Sequence, residues 1–141
     1  MADKKKKEPG PFDPIDAEYD KQFKYVVKAL RNGPLEPGDP QYRDLIAVSI
    51  KMLILGVERL EIMLNTPQAI TRLSGVGKGK WQYYVQALQD DKKQLQELLD
   101  HGDLDDENVV RAGFRRHAEF MLVKVQMARE LYGAGASIGS N

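Results

Sequence analysis

Leu45-Ile46-Ala47-Val48-Ser49-Ile50-Lys51-Met52-Leu53-Ile54-Leu55-Gly56-Val57 is the run that decides the fold, and only Ser49 and Lys51 in it are polar. Asp44, Lys51 and Glu58 recur at every seventh residue, so they line one narrow polar stripe of a helix. A helix apolar around the rest of its circumference has to be surrounded by others. The run therefore predicts an all-α helical bundle with a buried central helix. It is too short and too interrupted to span a bilayer, which needs ~20 apolar residues, and no membrane association is expected.

Start and stop signals extend this reading in both directions. Asp39-Pro40 starts the central helix, and Asn65 ends it before Thr66-Pro67 starts another. Upstream, Asp13-Pro14 starts a first helix that carries Ile15, Tyr19, Phe23, Val27 and Leu30 on one face and stops at Asn32-Gly33-Pro34. So short a link between two long helices predicts antiparallel packing. Downstream, a short helix over about Pro67–Leu73 leads into the glycine-rich turn Ser74-Gly75-Val76-Gly77-Lys78-Gly79. A third long helix runs from about Lys80 to His101, with Trp81, Val85, Leu88, Leu95 and Leu99 in a heptad-like seam that Lys92 interrupts. Gly102 ends it. Asp103, Asp105, Asp106 and Glu107 then set negative charge at the start of a fourth long helix, where its dipole favours it. That helix runs to about Tyr132 with two apolar stripes. One contains Val110, Phe114, Met121, Val125, Ala128 and Tyr132; the other contains Val109, Phe120, Val123, Met127 and Leu131. So broad a surface needs two neighbours: the third long helix, as an antiparallel hairpin, and either the central helix or another subunit. The expected architecture is thus four long helices plus one short one.

With 141 residues the chain is long enough for one domain with a real core, expected over residues 13–132. Residues 1–12 read as a basic disordered arm, because Lys4–Lys7 repel one another and Pro9, Gly10 and Pro11 block regular structure. Either it is a solubilising tail or it reaches for phosphate or a neighbouring subunit. Residues 133–141 read as a flexible uncharged tail. The lysine run lacks a following apolar core, so it is not a secretion signal. The 21 basic and 21 acidic residues cancel, so any nucleic-acid partner has to be met by a local patch rather than by overall charge. No cysteine is present, which removes disulfides, thiolate zinc sites and a cysteine nucleophile. A cytoplasmic location, or one within a particle, is expected.

Ile70 to Val85 is the stretch that carries a functional hint. An apolar pair, Ile70 and Leu73, precedes Gly75-Val76-Gly77, and a helix begins directly afterwards. Glycines let the backbone approach a phosphate closely, and the free N–H groups that open a helix form an anion site. Arg72, Lys78 and Lys80 add positive charge, with no acid between Thr66 and Gln89. This stretch resembles the helix-hairpin-helix motif of non-sequence-specific DNA-binding proteins, over roughly residues 67–88. The resemblance implies a clamp on the DNA backbone with little base readout. Arg72 would supply charge, Gly75, Gly77, Lys78, Gly79 and Lys80 would touch phosphate, and Val76 would pack between the two helices. The chain departs from that family in carrying Trp81 where a small residue is usual, and in having one such motif rather than two. The alternative is a plain helix–helix joint with solvated lysines. The stretch is not a Walker A loop: no glycine lies five positions before Gly79-Lys80, and Trp81 stands where Ser or Thr is required.

No catalytic constellation is expected. Neither His101 nor His117 has a glutamate three residues earlier, as four-helix two-metal proteins require, and no cofactor is implied. Arg111, Arg115, Arg116 and His117 form a second basic cluster, read as intramolecular because Arg115 faces Glu119 one turn on. Gly56 and Gly113 lie inside helices, where each costs ~1 kcal/mol against alanine, and mark candidate close crossings. Two functional readings follow. In one, the chain is a non-enzymatic helical assembly subunit, associating with itself or with other subunits and touching the DNA backbone through the glycine-rich turn. In the other it is a structural or adaptor bundle, of the kind that builds phage-type connector or packaging rings, without nucleic-acid contact; that comparison is one of fold alone.

Overall fold

Proline at the first helical position and a polar residue before it set two of the helix starts. Asp39 accepts from the Gln41 N–H at 3.4 Å, and Thr66 Oγ1 accepts from the Ala69 N–H at 3.2 Å. The computed structural model describes residues 10–33, 35–36 and 38–133. Among them the elements are α1 (Asp13–Arg31), α2 (Pro40–Leu64), α3 (Pro67–Val76), α4 (Lys80–His101) and α5 (Glu107–Tyr132), with no strand. This is the all-α bundle of four long helices and one short one that the sequence predicts. No helix among the described residues is long and apolar enough to cross a membrane. Of the expected basic arm, residues 1–9 lie outside the described residues, as does the tail from 134 on.

The long helices pack in the spatial order α1, α2, α4, α5, and α3 lies across one end against α2, α4 and α5. Both expected antiparallel pairs form. Arg59, near the end of α2, bonds Asp16 at 3.1 Å and stacks over Phe12, at the start of α1. Between α4 and α5, Lys80 meets Glu130, Asp91 meets His117, and Leu98 packs at Gly113. The core draws on Ile50, Ile54, Val57 and Leu64 of α2, Leu73 of α3, Tyr84, Leu88, Leu95 and Leu98 of α4, and Phe120 and Met127 of α5.

Several local expectations are corrected. The α1 cap is Phe12 rather than Asp13, whose carboxylate instead turns back to the Gly10 N–H at 2.7 Å. The α4 seam is only half of that helix's buried surface. Trp81 and Lys92 face α2, where Trp81 Nε1 donates to the Leu64 carbonyl at 2.8 Å and Lys92 pairs with Glu61 at 2.7 Å. A second row, Tyr84, Asp91 and Leu98, faces α5 one heptad apart. The second neighbour of α5 is α3, not α2. Gly113 is a close crossing, since a Cβ there would collide with Leu98, whereas Gly56 is exposed with nothing within 4 Å of where its Cβ would be.

Candidate nucleic-acid interface

The α3–α4 joint is shorter than its glycine content suggests. Ser74, Gly75 and Val76 continue α3, and the Gly77 N–H closes that helix on the Leu73 carbonyl at 3.3 Å. The expected turn over residues 74–79 therefore shrinks to Gly77-Lys78-Gly79. Gly77 is extended, with φ −179°, and needs no special backbone freedom. Gly79 has φ +80°, the left-handed region that favours glycine, and serves as the N-cap of α4.

The packing of the joint differs from the helix-hairpin-helix expectation. Leu73 is fully buried, but Ile70 is exposed, and Val76, expected between the helices, is 46% exposed. The α3 helix presents Ala69 and Leu73 to the core instead, four residues apart on one face. Trp81 is accommodated because it turns towards the end of α2, where its N–H satisfies the Leu64 carbonyl.

The six residues expected to form the site separate into two groups. Arg72, Gly75, Lys78 and Gly79 are exposed, while Gly77 and Lys80 are half-buried. Lys80 is turned inward: its Nζ donates to Glu130 Oε2 at 3.2 Å and lies 5.7 Å from the centre of the Tyr84 ring. The lysine expected on phosphate is thus engaged in an internal ion pair. No acid lies near it in sequence, but antiparallel packing brings Glu130 from 50 residues away. The Tyr84 hydroxyl donates to the other oxygen of the same carboxylate, and Gln126 Nε2 donates to Oε2 at 3.4 Å. Burial disfavours the Glu130 charge, but the Tyr84, Lys80 and Gln126 bonds outweigh it and hold the carboxyl below its usual range. The same burial, reinforced by Glu130, pushes the Tyr84 hydroxyl well above its ordinary value. Sequence reasoning missed Glu130 and Tyr84. The available signal was Tyr84 itself, a polar tip on the second buried row of α4 that needs a partner when buried.

What remains open at the joint is the start of α4. It has no side-chain cap and no acid in its first turn. The Tyr83 N–H reaches the Gly79 carbonyl at 2.9 Å and the Lys80 N–H reaches the Gly77 carbonyl at 3.1 Å, leaving the Trp81 and Gln82 N–H groups without an acceptor among the described residues. Arg72 and Lys78 form no ion pair among the described residues. The two N–H groups and the nearby Lys78 are a smaller set than the sequence promised, since Arg72 reaches towards Gly133 at the end of α5.

The second basic cluster is intramolecular in part. Arg111 pairs with Glu107 at 3.0 Å, while His117 Nδ1 lies 2.8 Å from Asp91 Oδ2. Asp91 is 5% exposed and is the one buried charged residue among the described residues; Gln94 Nε2 donates to its other oxygen at 3.3 Å. This His–Asp pair ties α4 to α5. Among the described residues no three His, Asp or Glu side chains gather as a metal-binding group. No protein-family model, no curated protein and no solved structure matches the chain.

Proposed function

We propose that the protein is a non-enzymatic helical assembly subunit that associates with itself. The observation that carries this reading is the outer face of α1. Among the helices α1 packs against α2 alone, and Tyr19, Phe23 and Leu30 stand 43%, 50% and 59% exposed on one side of it. Large apolar side chains grouped on an outermost helix mark a contact surface, whereas scattered ones do not. Light-scattering mass, measured with and without short duplex DNA, tests the reading: a mass above the monomer is expected, and a monomer mass at high concentration in both conditions overturns it.

A second reading, contact with the DNA backbone, is favoured by the uncapped start of α4, two residues after the exposed Lys78, with Arg72 exposed on the preceding helix. It is a narrower clamp than the sequence suggests, because Lys80 is held by Glu130. Gel shift over a salt series tests it. Two phosphate contacts give a slope of log K against log salt of about −2, and removing both cations flattens it. No binding, or binding that Arg72→Glu with Lys78→Glu leaves unchanged, removes this reading.

A further inference from the structure

The occupant of the α1 face can be named from the distribution of charge along that helix. All four acids of α1, Asp13, Asp16, Glu18 and Asp20, precede all four of its bases, Lys21, Lys24, Lys28 and Arg31. The helix dipole accounts for such a bias only in the first and last turns. Asp20, Lys21 and Lys24 lie in the middle, so the division needs another reason. Asp20 and Lys24 do pair within the helix at 3.0 Å, but both side chains are more than half exposed and open to a further partner.

We propose that α1 packs antiparallel against α1 of a second copy, about a two-fold axis near Phe23. This deepens the assembly reading above and rests on it. Tyr19, Phe23 and Leu30 are spaced by four and seven residues, so they form one stripe along the open side. Asp16, Asp20, Lys24 and Arg31 lie along one side of that stripe at helical spacing, and Asp16, about half exposed, also bonds Arg59 of α2 at 3.1 Å. Turning a second helix end for end sets the acidic half of each copy beside the basic half of the other. Asp20 and Asp16 of one copy then lie near Lys24 and Arg31 of the second copy. A parallel arrangement sets acids against acids and bases against bases, which is unfavourable. An isologous contact of this kind uses the same patch on both copies and closes at two. Three of the ten exposed large hydrophobic residues among the described residues, Tyr19, Phe23 and Leu30, share this stripe, while Tyr25 points from the other side of the helix.

The test uses the full chain, which has no cysteine of its own. Light scattering is expected to give the mass of a dimer. Phe23→Glu should weaken association by about 30-fold or more, as for a central apolar contact. Phe23 is half exposed, so the variant should keep the parent's far-ultraviolet circular dichroism and melting temperature. Orientation is read by single thiols. Phe23→Cys, near the axis, should cross-link on oxidation, and Leu30→Cys should not, because antiparallel packing carries the two thiols apart. Cross-linking of both with equal yield means parallel pairing and overturns the proposal. A multimer that Phe23→Glu leaves intact overturns α1 pairing while the assembly reading stands. A monomer mass with and without DNA removes both.

Discussion

Replacing Gly113 by alanine tests the α4–α5 crossing more sharply than any truncation, because two effects of known size oppose each other. Alanine in a helix interior is favoured over glycine by about 1 kcal/mol. Against that, the new Cβ at Gly113 overlaps Leu98 Cδ2 and approaches Leu98 Cγ to 3.4 Å, with Leu98 itself buried. Forcing an extra carbon into such a contact costs about 1–3 kcal/mol. The net expectation is a loss of about 0–2 kcal/mol. Gly56→Ala supplies the control: that glycine is also mid-helix, but it is exposed with nothing within 4 Å, so the full gain of about 1 kcal/mol should appear. Leu98→Ala alone should cost about 2–5 kcal/mol. In that background Gly113→Ala should become stabilising, giving a coupling of about 1–3 kcal/mol between the two sites. Urea unfolding followed by circular dichroism measures all of these as midpoints at constant m. If Gly113→Ala stabilises the native chain as much as Gly56→Ala, or if the cycle shows no coupling, α4 and α5 do not cross as closely as described.

Other perturbations address the polar contacts between helices. Trp81→Phe leaves the Leu64 carbonyl without its donor and should cost about 1–2 kcal/mol by urea unfolding, whereas Gln82→Ala, at an exposed position, should cost less than about 0.5 kcal/mol. His117→Ala strips a buried carboxylate of its ring partner and should cost about 2–3 kcal/mol; an equal effect of Arg116→Ala, which lies exposed beside it, would contradict the pairing. The depressed Glu130 carboxyl gives a pH signature. Its contribution is complete above its ordinary value of 4.5 and fades as pH falls through the lower folded value, so the gap between native chain and Glu130→Gln should shrink below pH 4.5. A gap that stays constant down to about pH 2–3 refutes that account. Tyr84 acts with the opposite sign: its contribution is complete below 10.0 and declines as pH rises beyond it, so Tyr84→Phe should lose less relative to the native chain in strong base.

Periodicity and caps were legible in the chain because they are local. The apolar run over residues 45–57, Asp39-Pro40, Thr66-Pro67 and Gly33 with φ +118° each act within a turn or two of backbone. The all-α class, the number of helices and both antiparallel pairs follow from them. The two rows of α4 show where local reading stops. The row through Trp81 and Lys92 has an obvious heptad form, but Tyr84, Asp91 and Leu98 repeat with the same spacing and look amphiphilic until a second helix supplies partners. The candidate site has the same history. From the sequence Lys80 and Lys78 are equivalent cations in an acid-free stretch, yet one is neutralised by Glu130 and the other stands exposed. Gly56 and Gly113 are indistinguishable as mid-helix glycines, and only one meets a neighbour. The sequence by itself determined which segments are helical and most of their limits, because those choices depend on side chains a few residues apart, although α3 runs three residues past its expected end at Leu73. Tertiary structure alone decided which charges are spent internally and which faces stay open, because that depends on contacts between residues tens of positions apart in the chain.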